Sequence, residues 1–116
     1  VKIIIRGKNI LKNIDKQKVL KLKEEVAYQK GQVVSKTLAQ NEALSVIFFF
    51  DKGEGLSEHR APFDALVQVL EGVVNITVNG TLFTVKAGES IVFPANAPHA
   101  LTAVERFKML LTMIKE

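Results

Sequence analysis

The chain has 116 residues, 47% of them apolar, with a net charge of +4 and no cysteine. That length supports one hydrophobic core rather than two, and no apolar run approaches the roughly eighteen residues a membrane span needs. The lack of cysteine excludes a disulfide framework, a thiol nucleophile and a thiolate metal site.

The N-terminal third is strongly basic. Ten lysines and arginines face three acidic residues in 1–36, a net of +7, whereas 37–116 carries a net of −3. Lysine predominates over arginine and Tyr28 is the one aromatic residue of that stretch, so base stacking and bidentate phosphate contacts are poorly served. The stretch reads as a solvated, lysine-rich border that discourages edge-to-edge strand pairing, and neither nucleic acid nor membrane is expected as a partner. Ile3-Ile4-Ile5 is too short for the apolar core of a signal peptide, and a cytoplasmic location is the expectation. Between Ile10 and Ala27 the pattern is ambiguous. Ile10, Leu11, Ile14 and Val19 suit a short amphipathic helix, while the alternation of Leu20-Lys21-Leu22-Lys23 suits strands with a turn around Asn13–Lys16, the reading favoured here.

From residue 33 onward the chain reads as short strands. Val33–Leu38, Leu44–Phe50, Ala65–Leu70, Ile91–Phe93, Ala100–Ala103 and Phe107–Ile114 are β-prone runs separated by turn-formers such as Asp51-Lys52-Gly53 and Lys86-Ala87-Gly88. The strongest local signal is Asn79-Gly80 between Val73–Val78 and Thr81–Val85, the pattern of a type I′ hairpin. Pairing Val78 with Thr81 places Val74, Ile76, Val78, Phe83 and Val85 on one apolar face, expected to be the interior. Many short strands with glycine and proline punctuation predict an all-β sandwich or barrel.

Two segments carry the chemistry. In the first, Gly53 precedes His59, and Gly72 follows; in the second, Gly88 precedes Pro94 and His99. These spacings resemble the two signature motifs of the cupin family, G-x5-H-x-H-x3,4-E-x6-G and G-x5-P-x-G-x2-H-x3-N. The match extends beyond the motifs to the stretches around Tyr28–Thr37 and Phe107–Thr112, and so over nearly the whole chain. The departures fall on Ala61 and Ala65, where the family has a histidine and a glutamate, and on Asn96 and Ala103, where it has a glycine and an asparagine. The resemblance implies a jelly-roll, a double-stranded β-helix forming a small barrel, as one cupin domain over 1–116. Residues 31–116 would form the barrel, and 1–30 a basic arm or strands in contact with the second subunit of a homodimer.

In cupins three histidines and a glutamate hold a transition metal inside the barrel, and here two of those four positions are alanine. Three protein ligands are the usual minimum for zinc, iron or manganese. The candidate metal set is therefore His59 and His99 with Asp64 as the nearest third donor, for zinc, iron, manganese or nickel. Strand alternation opposes Asp64: if position 65 faces inward, 64 faces outward. The alanines also enlarge and de-polarise the interior, which suits a small organic ligand. Its expected pocket is lined by His59, His99, Ala61, Ala65, Val67, Val69, Ile76, Val78, Phe93 and Met109. The leading expectation is a small-molecule-binding cupin without a strongly held catalytic metal. The alternative is a metal-dependent cupin enzyme of oxygenase or isomerase type with a non-standard ligand set.

Overall fold

A computed structural model describes residues 11–115. It contains β1 (Val33–Gln40), β2 (Ala43–Phe50), β3 (Gly55–His59), β4 (Ala65–Glu71), β5 (Val73–Val78), β6 (Thr81–Lys86), β7 (Ser90–Phe93), β8 (His99–Ala103) and β9 (Phe107–Ile114), with one short 3-10 turn at Leu22–Glu24. Two antiparallel sheets face each other. One has the order β1-β2-β9-β4-β7 and the other β3-β8-β5-β6, so sequence neighbours such as β4 and β5 lie in opposite sheets, the double-stranded β-helix arrangement.

Alternation decides which side chains fill the space between the sheets. Along β4, Ala65, Val67 and Val69 are buried while Leu66 is exposed; along β9, Phe107, Met109 and Met113 turn inward. Phe50 and Phe107 stack within this interior at 4.6 Å between ring centres. Full burial of one such side chain stabilises by about 1.5–3 kcal/mol, so the aromatic pair is a principal clamp between β2 and β9. The hairpin forms with the expected register: Val78 opposite Thr81, Ile76 opposite Phe83 and Val74 opposite Val85. Val74, Ile76, Val78 and Val85 are buried, but Phe83 is 42% exposed. Its strand is the last in its sheet, and the facing sheet does not cover it.

The passage from one sheet to the other runs through Gly72. This residue alone separates β4 from β5, has φ +83° and lies so close to the Arg106 carbonyl that a Cβ there would overlap it. Only glycine meets both conditions.

Residues 11–32 contain no strand, which corrects the strand reading of Ile10–Ala27; Ile10 itself, like the run Ile3–Ile5, lies outside the described residues. The segment forms a strap over the outer face of the five-stranded sheet. Ile14, Leu22 and Val26 pack there with Val34, Leu38, Ile47, Phe49, Leu70 and Leu110, making a second apolar cluster. The alternation of Leu20–Lys23 reflects one side laid on a sheet face, a contact that needs no ladder. Polar ties hold the strap. Lys12 N–H donates to the Leu38 carbonyl (2.9 Å), Lys36 pairs with Glu25 (3.0 Å), and the buried Lys108 ammonium donates to the Lys23 carbonyl. Tyr28 donates its hydroxyl to Glu71, with the charged ends of Arg106 and Lys108 each 4.6 Å from its ring centre.

Candidate functional site

His59 ends β3 and His99 begins β8, and the register of those strands sets them opposite one another. An irregularity between Leu56 and His59 turns the end of β3, and the sequence Pro94–Pro98 delivers His99. Within that loop Asn96 has φ +66°, a left-handed conformation that asparagine tolerates better than other non-glycine residues. Its N–H donates to the Ala61 carbonyl (2.7 Å), and the Arg60 guanidinium donates to the Asn96 carbonyl (3.3 Å). The loops carrying the two histidines are thus latched to each other.

The imidazoles meet edge to face, with ring centres 4.2 Å apart and the two Nε2 atoms 3.0 Å apart. His59 Nδ1 lies 2.8 Å from the Ser57 carbonyl, and His99 Nδ1 lies 3.0 Å from the Ala97 carbonyl. Carbonyl oxygens only accept, so each Nδ1 donates, and each neutral ring is left with a bare lone pair at Nε2. Three contacts need three ring protons, while two neutral imidazoles supply two. The arrangement is complete when one added proton, a ligand donor or a cation engages the Nε2 atoms. His99 is 5% exposed and stacks on Phe93 at 4.3 Å, whereas His59 is exposed. Burial holds the His99 pKa below the ordinary imidazole value; the Ala97 carbonyl opposes this, and charge on His59 adds to it.

Of the other residues named from the sequence, Ala65, Val67, Val69, Ile76, Val78, Phe93 and Met109 lie in one buried cluster between the sheets, and half-buried Ala61 packs against it. Asp64 is placed differently. Its carboxylate accepts the Ala95 N–H (2.7 Å), and it lines an outer-face cavity of about 660 Å³ with Pro62, Phe63, Leu66, Val92 and Ile114. No group of three or more His, Asp or Glu able to hold a metal ion occurs among the described residues. Sequence reasoning passed over Arg60 and the two carbonyls that fix the ring tautomers. Arg60 sits beside His59 in a loop, where only the partner loop gives it a role; backbone carbonyls leave no sequence signal.

Residues 46–114 match the family model described as "Cupin domain". The chain belongs to the cupin family. A conserved protein of unknown function from Streptococcus pyogenes is 39% identical over 96% of this chain and 98% of its own, with a TM-score of 0.90. A cupin superfamily protein from Desulfitobacterium hafniense is 30% identical over 91% of this chain and 98% of its own (TM-score 0.87). A cupin 2 conserved barrel domain protein from Leptotrichia buccalis is 50% identical over 80% of this chain and 46% of its own (TM-score 0.77). No curated protein matches. For a cupin, the donor set is short. The two imidazoles of this chain do not fit the four-ligand metal of the family, and Asp64, bound to Ala95 N–H, does not complete it.

Proposed function

We propose that this cupin binds a small molecule at the barrel end where His59 and His99 meet, without a tightly held catalytic metal. The observation that carries the reading is the convergence of two Nε2 lone pairs at 3.0 Å, both Nδ1 atoms being committed to carbonyls. Such a pair selects a ligand with a hydrogen-bond donor. Phe93, Ala61 and Ala65 beside it favour an otherwise apolar body. The exposed side of His59 is the side from which a ligand approaches. Among the described residues no helix is long and apolar enough to cross a membrane.

Elemental analysis of protein purified without chelators tests the reading, with the His59→Ala/His99→Ala double variant as control. The expected result is metal well below one equivalent in both proteins, with no rise in melting temperature on adding zinc, iron, manganese or nickel. Near-stoichiometric metal that disappears in the double variant overturns it. A thermal-shift screen of small hydrogen-bond donors, repeated on the double variant, then finds the ligand class.

A further inference from the structure

Strand register lines up Val92, Leu66 and Thr112 across β7, β4 and β9. Their inward neighbours Ala65, Val67, Phe93 and Met113 are buried, so alternation aims these three, and Ile114 after them, at the outer face of the five-stranded sheet. Among the described residues the cluster beneath the strap takes in Leu70 and Leu110 of the same strands but none of these four. They floor the outer cavity of about 660 Å³, a volume in the range of small-molecule sites.

The wall of the cavity comes from two loops. Pro62, Phe63 and Asp64 precede β4, and Ala95 follows β7. Three hydrogen bonds join the loops: Ala95 N–H to the Asp64 carboxylate (2.7 Å), Asn96 N–H to the Ala61 carbonyl (2.7 Å) and the Arg60 guanidinium to the Asn96 carbonyl (3.3 Å). Phe63 also packs against the interior cluster. The wall is therefore fixed before anything binds, which leaves little ordering to oppose association.

Asp64 is the one charged residue of this lining. Its Oδ1 accepts the Ala95 N–H, and its Oδ2 has no partner among the described residues. A carboxylate oxygen only accepts, and an aromatic ring such as that of Phe63 attracts cations; Leu66, Val92 and Ile114 offer apolar contact. We propose that the outer cavity is a second binding site, separate from the histidine pair, for a small organic ammonium ion with an apolar body. The ammonium donates to Asp64 Oδ2 and the body lies over Leu66, Val92 and Ile114. The chain as a whole carries +4 and repels cations, so a cation that binds does so through this local carboxylate.

Titration of the nitrogen-15-labelled full chain with phenethylammonium, followed by NMR, tests the site, with phenethyl alcohol as the neutral analogue and hydrocinnamate as the anion. The ammonium is expected to shift the amides of Phe63, Leu66, Val92 and Ala95 and to bind at least about fivefold more tightly than the alcohol, with the anion weakest. Asp64→Asn keeps an oxygen for the Ala95 N–H and removes the charge, so it should erase this preference while the rest of the amide spectrum stays in place. Leu66→Ser, on the outer face, should weaken the ammonium and the alcohol alike. The His59→Ala/His99→Ala variant should bind as the parent chain does, which separates this site from the histidine pair. Equal affinity for ammonium and alcohol, no shift at the named amides, or a preference that survives Asp64→Asn overturns the proposal. So does binding seen only after deletion of residues 1–10, which would make that segment the occupant of the cavity.

Discussion

Protonation of His99 opposes folding, because its native surroundings disfavour the charged ring. Its pKa lies below the ordinary value of 6.5, first through burial and then through the neighbouring His59. The unfolded chain therefore binds this proton more readily than the native chain. The associated stability is complete above pH 6.5 or so and is lost as pH falls through that value toward the native pKa. Melting temperatures measured from about pH 8 down to about pH 5 should decline in the lower half of that range. His99→Gln should flatten the decline, while His59→Ala should keep most of it, since burial is the larger cause. An undiminished decline in His99→Gln would place the titrating group elsewhere. Asn96 makes a related point about single positions. It stands where the family motif has glycine, and its φ of +66° is a left-handed conformation that glycine adopts freely and asparagine tolerates. Ala61 and Ala65 are departures of another kind, because no side chain among the described residues restores the donors they lack.

Two motif glycines of similar backbone shape should answer mutation differently. Gly72 and Gly88 have φ of +83° and +87°, but only at Gly72 would a Cβ collide, with the Arg106 carbonyl. Gly88→Ala should cost about 1–2 kcal/mol from the left-handed conformation alone, and Gly72→Ala at least about 3 kcal/mol once overlap is added. Urea denaturation checks the difference, and equal costs would show that the β4–β5 passage relaxes freely. The hairpin and the runs that became β1, β2, β4, β7, β8 and β9 were legible because each carries its own period and turn signal. The motif spacing singled out His59 and His99 as sharing one cavity, and the strand pairing that sets them opposite each other is a feature of the structure. β3 was not, because Gly55-Leu-Ser-Glu-His has a single aliphatic residue and becomes a strand only by pairing with β8. The strap was misread for the complementary reason. Its alternation reports burial on one side, and nothing local says whether that side meets a strand edge or a sheet face. Phe83 had the right face but lacked cover, and position within a sheet is a tertiary property.

Among the described residues the molecule has two apolar layers, one on each face of the five-stranded sheet. The five-stranded sheet separates the interior cluster from the cluster beneath the strap, and Phe49, fully buried on its outer face, meets the Tyr28 ring edge-on at 4.8 Å. Phe49→Ala should cost about 3–5 kcal/mol, as much as an interior phenylalanine, and should speed amide hydrogen exchange across residues 20–30. If exchange there stays unchanged, the strap is held by its polar ties alone. Among the described residues the four-stranded sheet, to which β3 and β8 with His59 and His99 belong, receives no share of this second layer. One wall of the barrel is thus ballasted and the other is light, and both histidines ride on the light one. If a small molecule binds at the histidine pair as proposed, loosening the interior contacts of β3 and β8 should quicken its arrival and departure while the strapped wall stays still.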